Sequence, residues 1–191
     1  MLDNIDATRI FSESGALLTG HFKLTSGRHS NRYMQCAQVL QYPQYTEQLA
    51  LHLAEQFAGD GIELVVGPAM GGIIVAYEVA RQMGISAIFT ERQDGKMELR
   101  RGFVIQPGQR VLVVEDVVTT GGSVQEVIDL VRQNGGVVAG VAVLVDRSGG
   151  KVNFGVKQAC VLQLDIESWS AEDCPMCQAG QGEPVKPGSR S

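Results

Sequence analysis

The sequence predicts an α/β fold in which a mostly parallel sheet is covered by helices on both faces. Short apolar runs alternate with longer amphipathic stretches, and glycine-rich turns join many of the runs to the stretches that follow them. Apolar runs without alternation are typical of strands buried on both faces, and a repeated strand–helix–strand order favours parallel pairing. In such sheets, ligands bind beyond the carboxyl ends of the strands.

Each predicted element rests on a local pattern. Helices are assigned where apolar residues recur every three or four positions and a proline or glycine marks an end, and strands where short apolar runs lie between turns. The predicted helices are at 3–14, closed by Gly15, from Pro43 to Gly59, at 72–83, stopped by Gly84, and at 123–133, capped by Asn134 and Gly135. Extended segments are predicted at 21–26 and 30–40, and strands at 62–67, 86–91, 103–105, 111–114 and 137–145. Residues 93–101 are predicted to be a polar loop.

Composition indicates an enzyme with one main domain. The chain has 191 residues, 44% hydrophobic and 19% charged, which is enough for one sizeable core and too little for two. A formal net charge of -5 argues against a general nucleic-acid binder. No apolar run approaches the ~20 residues of a membrane span, and residues 1–6 lack the features of a secretion signal. We therefore expect a cytoplasmic protein without nucleic-acid or membrane partners.

The four cysteines do not resemble a disulfide framework. Cys174 and Cys177 have the spacing of a zinc knuckle or a redox pair, but a structural zinc ion needs four ligands and the chain has no second CxxC segment. Reduced thiols in a turn are therefore favoured, and no metal ligands are assigned. The alternative is a metal site completed by Cys36, Cys160 or a neighbouring subunit.

The most informative segment is VLVVEDVVTTGGS at residues 111–123, which combines a strand, two carboxylates, a glycine turn and a helix start. Gly121 and Gly122 let backbone N–H groups approach an anion at a helix N-terminus, where the dipole favours negative charge. A phosphate is therefore expected at this turn. Glu115 and Asp116 would lie one sugar width away, placed to accept hydrogen bonds from a ribose diol or to hold hydrated Mg²⁺.

Two further segments fit a diphosphate. The segment GPAMGG at 67–72 repeats the strand–turn–helix geometry, although glycines also occur at such turns for packing reasons. Residues 90–102 hold four basic residues, and we interpret them as a lid whose cations meet the charge of a leaving diphosphate. The alternative is a solvated loop whose charges pair among themselves.

The segment SGRHSNRY at 26–33 and the pair Asp146 and Arg147 complete the pattern. Residues 111–123 resemble the phosphoribosyl-pyrophosphate motif of type I phosphoribosyltransferases. The Ser-Gly-Arg turn narrows the resemblance to the orotate phosphoribosyltransferases, whose N-terminal hood carries a similar element over the pyrimidine. The similar motifs span roughly residues 20–147.

This resemblance implies the type I phosphoribosyltransferase fold, a central mostly parallel sheet flanked by helices, with a small hood. It implies transfer of the 5-phosphoribosyl group from phosphoribosyl pyrophosphate to orotate in pyrimidine biosynthesis, with Mg²⁺ and in a homodimer. The implied donor site comprises Glu115, Asp116, Val117, Val118, Thr119, Thr120, Gly121, Gly122, Ser123, Arg92 and Lys96, with Ala69, Met70, Gly71 and Gly72 as the diphosphate loop. Orotate would contact Thr119, Arg147, Ser26 and Arg28, and the catalytic residues would be Asp116, Glu115, Lys96 and Arg92.

Some departures mark a divergent branch of the family, since Thr25 and Gly71 stand where members commonly have lysine. A purine phosphoribosyltransferase would share the donor loops but lack the Ser-Gly-Arg hood and an arginine suited to a carboxylate. A donor-sensing regulator of the same fold would bind the donor without releasing pyrophosphate.

We expect four segments along the chain. They are an N-terminal hood at 1–42, the phosphoribosyltransferase core at 43–157, a C-terminal segment at 158–178 that packs on the hood, and a tail at 179–191. The tail has no apolar periodicity and is expected to be mobile unless a partner orders it.

Overall fold

The computed structural model describes residues 4–24 and 26–187. Its strands are β1 (Leu17–Lys23), β2 (His29–Met34), β3 (Leu64–Pro68), β4 (Ser86–Gln93), β5 (Lys96–Leu99), β6 (Arg110–Val118), β7 (Val137–Asp146) and β8 (Lys157–Gln163). Its helices are α1 (Asn4–Glu13), α2 (Ala37–Leu40), α3 (Pro43–Gln56), α4 (Gly71–Met83), α5 (Gly122–Gln133) and α6 (Pro175–Gln178). None of these helices is both long and apolar enough to cross a membrane.

Within the described residues, the main sheet has the strand order β5-β4-β3-β6-β7-β8. Neighbouring strands pair in parallel, except that β4 and β5 are antiparallel. This arrangement confirms the predicted α/β class. Helix α4 carries the chain from β3 to β4, and α5 carries it from β6 to β7 in the opposite direction across the sheet. The strand order therefore reverses between β3 and β6, which opens a crevice at their carboxyl ends.

Strand β6 is buried on both faces. Leu112 and Val114 pack in the cluster that contains the buried residues of α3 and α4, whereas Val111 and Val113 pack in the cluster that contains those of α5. Full burial of one such side chain contributes about 1.5–3 kcal/mol to stability. Because packing holds β6 from both sides, the acidic residues towards its carboxyl end have a well-defined position.

Strands β1 and β2 form a separate antiparallel hairpin, the hood hairpin. The C-terminal chain pairs with it at two places. Trp169 and His29 exchange backbone hydrogen bonds of 2.8 and 2.9 Å, and Val185 forms a bridge with Phe22 of β1. The hood is therefore built from both ends of the described chain.

Two expected segment boundaries differ from the structure. Residues 157–163 form β8 of the main sheet, so the chain reaches the hood only after β8. The predicted tail contacts the hood around Val185, whose N–H donates to the carbonyl oxygen of His21 at 2.8 Å. Residue 3 of the first predicted helix, residues 1–3 of the predicted hood segment and residues 188–191 of the predicted tail lie outside the described residues.

The polar loop predicted at 93–101 is instead a hairpin of β4 and β5. Its turn residues Asp94 and Gly95 have φ of 50° and 81°, the left-handed pair that suits a two-residue hairpin turn. The pattern missed β5 because it is a short edge strand with few apolar residues.

Two other predictions are corrected. Residues 103–105 form no strand; Phe103 instead packs edge-to-face against Phe89 with ring centroids 5.1 Å apart, and Ile105 packs in the α5 cluster. The end of the extended segment predicted at 30–40 is helix α2. Its adjacent buried residues, Val39 and Leu40, face the core from one short turn.

Candidate active site

Two strand–turn–helix connections meet in the crevice between β3 and β6. The first, after β3, leads through Ala69 and Met70 into α4, and the second, after β6, leads through residues 119–121 into α5. A Cβ atom on Gly71 would overlap the carboxylate of Asp116, and one on Gly72 would lie 3.2 Å from Oε1 of Glu115. The acid pair Glu115 and Asp116 therefore reaches the turn after β3, as the two motifs predict.

The turn after β6 is shaped to hold an anion. Glu115 and residues 117–124 line a small polar cavity. Gly121 has a φ of 80°, and a Cβ atom there would lie 2.8 Å from Val152 and 3.0 Å from Phe154. Because this N-cap residue is a glycine, no side chain caps the first amide groups of α5. Those N–H groups can bind a phosphate.

Few groups around Glu115 and Asp116 compensate for the negative charge of their carboxylates. The Asp116 N–H donates to Oε1 of Glu115 at 3.0 Å, and the Val117 N–H donates to Oδ1 of Asp116 at 2.8 Å. Burial, followed by the neighbouring Asp116 carboxylate, raises the pKa of Glu115 above its ordinary value. Burial also raises the pKa of Asp116. The pair therefore favours ligands that donate hydrogen bonds or bring positive charge.

Cys36 lies beside the acid pair, a position that the sequence does not reveal. Its thiol donates to the carbonyl oxygen of Asp116 at 3.5 Å. Burial and then the charge of Asp116 raise the pKa of the Cys36 thiol well above its usual value. Cys36 is therefore a neutral thiol beneath the crevice.

Arg147 follows β7 and lies beside the turn after β6 (residues 119–121), which we call the phosphate turn. Its backbone N–H donates to the carbonyl oxygen of Val118 at 2.8 Å. Its guanidinium interacts electrostatically with Tyr33 and Cys36, and burial lowers the pKa of Arg147. The Nε atom of Arg147 is buried and has no hydrogen-bond partner in the described part of the chain. A buried donor without a partner is costly, which makes this atom a candidate ligand contact.

Ser26 and Arg28 lie in the turn of the hood hairpin. Arg28 donates from Nε to Oγ of Ser168 at 2.9 Å and from a terminal nitrogen to the carbonyl oxygen of the same serine. Ser26 is exposed. In this conformation Arg28 thus joins the hood to the C-terminal chain.

The predicted lid residues pack on the side of α5. Arg92 pairs with Glu126 at 2.7 Å, one helical turn beyond Ser123, and also donates to the Gly95 carbonyl oxygen. Lys96 borders a cavity that runs along α5. Arg92 is therefore paired with a residue of α5 and not with Glu115 or Asp116. Arg101 pairs with Glu91 at 2.8 Å within the predicted lid, as the alternative interpretation expects.

Thr90, the first residue of the predicted lid, is held next to the diphosphate loop instead. It is fully buried at the end of the predicted strand 86–91, and its carbonyl oxygen accepts a hydrogen bond from Ala69 at 2.8 Å. Its hydroxyl has no partner among residues 4–24 and 26–187. A threonine that ends a buried strand, next to the diphosphate loop, is the signal that could have identified it.

Comparisons with known proteins identify the family of this chain. The model of the phosphoribosyl transferase domain matches residues 38–171. An orotate phosphoribosyltransferase from Pelotomaculum thermopropionicum is 63% identical over 182 residues, covering 95% of each chain. One from Chlorobaculum parvum is 53% identical over 191 residues, covering 100% of this chain and 98% of the relative.

Solved structures are similar as well. The orotate phosphoribosyltransferase of Aeropyrum pernix has a TM-score of 0.66 and 29% identity, covering 92% of this chain and 98% of its own. That of Mycobacterium tuberculosis, in complex with inorganic phosphate, has a TM-score of 0.67 and 26% identity, covering 83% and 95%. With a matching domain over most of its length and relatives this similar, the chain belongs to the phosphoribosyltransferase family and, within it, to the orotate phosphoribosyltransferases.

Proposed function

We propose that the protein transfers the 5-phosphoribosyl group from phosphoribosyl pyrophosphate to N1 of orotate, in the synthesis of pyrimidine nucleotides. The observation that carries this proposal is the meeting of two strand–turn–helix connections, rich in glycine, at the carboxylates of Glu115 and Asp116. The bond between the anomeric carbon and the diphosphate oxygen breaks, and its electron pair leaves with pyrophosphate. N1 of orotate bonds to the anomeric carbon and loses its proton.

The residues of the crevice suit the charges of that step. The amides at the start of α5 would hold the 5′-phosphate, and residues 69–72 would border the diphosphate. Positive charge that develops on the ribose would face Glu115 and Asp116, which would also accept hydrogen bonds from the ribose hydroxyls. A covalent nucleophile on the protein is not needed.

We propose Mg²⁺ as the cofactor, bound together with the diphosphate. The two carboxylates offer the oxygen ligands that this ion prefers, and their raised pKa values fit a site that is completed by a cation. The ion would neutralise charge on the diphosphate. We also place the reaction in the cytoplasm, because the four cysteines are free, as expected in a reducing compartment.

Arg147 is proposed to bind the carboxylate of orotate, and Thr119, Ser26 and Arg28 are proposed as further contacts of the base. Its buried Nε atom would gain a partner, and a guanidinium can bind a carboxylate with two parallel hydrogen bonds. Adenine and hypoxanthine have no carboxylate, so this residue favours orotate over a purine. A role as a donor sensor would not require a base site at all.

We predict that Arg147→Gln raises KM for orotate by about 10- to 100-fold, the cost of a lost charge-assisted hydrogen bond, with a smaller change in KM for the donor. The measurement follows orotate consumption by ultraviolet absorbance with donor and Mg²⁺. Arg132→Gln, at the exposed end of α5, is the control. Wild-type protein that consumes adenine or hypoxanthine and leaves orotate unchanged would disprove the assigned reaction, and so would donor binding without pyrophosphate release.

We also propose a homodimer. Met70, Ile74 and Tyr77 are 82%, 45% and 67% exposed, and their spacing puts them on one face of α4. An exposed apolar stripe of this kind is typical of a protein interface. It begins at the diphosphate loop, so a second subunit on this face would lie close to the crevice.

Arg92 and Lys96 are proposed to neutralise the leaving diphosphate, either in their own subunit or in the neighbouring one. We predict that Lys96→Ala lowers kcat by about 10- to 100-fold, because a cation facing the developing charge is lost. The exposed Lys151→Ala is the control. Mixing Lys96→Ala with Asp116→Asn then shows whether the lid serves its own subunit or the neighbouring one. Activity recovers only if the lid acts across subunits. A wild-type kcat for Lys96→Ala would rule out the role of this lysine.

A further inference from the structure

A cluster of four potential metal ligands joins the hood hairpin to the C-terminal chain. The ligand atoms of His21, His29, Cys174 and Cys177 all lie within 4.8 Å of one another. The histidines are eight residues apart on β1 and β2, and Cys174 is the N-cap residue of α6, which contains Cys177. His29 and Cys174 are buried, at 5% and 0% exposure. The cluster is separate from the proposed catalytic crevice.

Four of the six distances between the ligand atoms lie within about 0.4 Å of the edges of a tetrahedron around one ion. Nε2 of His21 lies 3.2 Å from Nδ1 of His29 and 3.5 Å from the sulfur atoms of Cys174 and Cys177. The sulfur of Cys177 lies 3.2 Å from Nδ1 of His29. Zinc–nitrogen bonds of about 2.0–2.1 Å and zinc–sulfur bonds of about 2.3 Å imply tetrahedral edges of about 3.3 Å between nitrogens and about 3.6 Å between nitrogen and sulfur.

Neighbouring groups orient the ligand side chains of the cluster. Nδ1 of His21 lies 3.0 Å from the carbonyl oxygen of Gly182. A proton on Nδ1 would donate to that oxygen, which leaves the lone pair of Nε2 free for a metal. The two backbone hydrogen bonds between His29 and Trp169 align the hairpin with the C-terminal chain. The ligands are therefore held in place by the fold rather than by a flexible loop.

We propose that His21, His29, Cys174 and Cys177 bind a structural zinc ion. Two imidazoles and two thiolates form the Cys₂His₂ set that selects tetrahedral zinc, and four protein ligands leave no open position for catalysis. The ion would link the hood hairpin to a segment of chain 148 residues away, measured from His29 to Cys177. Its role is to hold the C-terminal chain on the hood.

This proposal replaces the expectation that the CxxC thiols bind no metal. The partners considered from the sequence, Cys36 and Cys160, lie elsewhere. Cys36 contacts the backbone of Asp116, and Cys160 lines a cavity between β7 and β8. The missing pair of ligands comes instead from the histidines of the hood hairpin.

The experiment measures metal content in the full-length protein purified under reducing conditions. Mass spectrometry of the metals is expected to find about one zinc ion per chain in the wild type and in Cys160→Ser, and less than about 0.1 in Cys177→Ser and His29→Ala. Replacement of zinc by Co²⁺ should produce the visible bands of a tetrahedral site and thiolate-to-cobalt charge-transfer bands. Both sets of bands should be lost in Cys177→Ser.

A chelator experiment on the wild type covers the case in which the variants do not fold. Removal of the ion is expected to lower Tm, and Zn²⁺ but not Mg²⁺ should restore it. A wild-type protein without bound zinc that also fails to take up Co²⁺ would overturn the proposal. So would zinc content that is unchanged in Cys177→Ser. None of these readouts depends on the transferase reaction, so they test the zinc site separately from the proposed activity.

Discussion

Asp116→Asn and Glu115→Gln are each expected to lower kcat/KM by about 100- to 1000-fold, the range for the loss of one preorganised electrostatic contact to a transition state. Both substitutions preserve the size of the side chain and remove the negative charge that the carboxyl group would carry once the donor and Mg²⁺ are bound beside it, since a neighbouring cation lowers a carboxyl pKa. The developing positive charge on the ribose would then face an amide. Steady-state kinetics with saturating orotate and varied donor measure the effect. Asp129→Asn, on the exposed face of α5, should retain the wild-type rate.

The same substitutions are expected to stabilise the free protein at neutral pH. The pKa of Glu115 is raised in the folded state by burial and by Asp116, so between the unfolded pKa and the folded pKa the folded protein binds more protons than the unfolded chain. Stability therefore falls as pH rises through that interval, and Glu115→Gln removes the penalty.

Thermal unfolding provides the measurement for this second effect. At pH 8 the gain from Glu115→Gln should be about 1–3 kcal/mol, since one pKa unit corresponds to about 1.4 kcal/mol. At pH 4 the gain should largely vanish, because the wild-type carboxyl group is then protonated in both states. A variant that keeps the full rate would refute the catalytic role of the pair. A variant that is less stable at pH 8 than at pH 4, relative to wild type, would refute the raised pKa.

Gly121→Ala is expected to raise KM for the donor by about 10- to 100-fold, equivalent to about 1.4–2.7 kcal/mol of lost binding. The position combines a φ of 80° with a Cβ direction that points at Val152 and Phe154, 2.8 and 3.0 Å away. An alanine must therefore shift the turn whose amides would hold the 5′-phosphate. Donor titrations in the kinetic assay, together with thermal unfolding, separate binding from stability.

Gly84→Ala is the matched control for this substitution. Gly84 has a φ of 68° at the end of α4, with open space where a Cβ atom would lie. Both variants should lose about 1–2 kcal/mol of stability from the left-handed backbone, but only Gly121→Ala should raise KM for the donor. Equal KM values for the two variants would argue against phosphate binding at the turn after β6.

The parts of the fold that the sequence predicts well are those with strong local patterns. Strand β6 is recognisable because every residue from Val111 to Val114 is apolar, as burial on both faces requires. Helix α4 ends at Gly84, as predicted. Strand β5 was missed because its pairing with β4 depends on a turn at Asp94 and Gly95 and not on a run of apolar residues.

The candidate site also contains some features that the sequence predicts and others that it does not. The phosphate turn and the acid pair lie within one continuous segment, so their relative position follows from the strand that precedes them and the helix that follows. Arg147 is also predictable, because it directly follows a buried strand that ends at the same edge of the sheet. The pairing of Arg92 with Glu126 cannot be predicted from the sequence, since it depends on how the hairpin of β4 and β5 packs against α5.

The sequence by itself determined the α/β class, the two strand–turn–helix connections at the crevice and the family, because apolar periodicity and glycine turns act over a few neighbouring residues. Only the tertiary structure decided that two histidines of the hood hairpin meet Cys174 and Cys177. A CxxC segment contains half of a tetrahedral ligand set, and no local pattern indicates which distant residues complete it. That assembly depends on the backbone pairing of His29 with Trp169, which brings the two ends of the chain together.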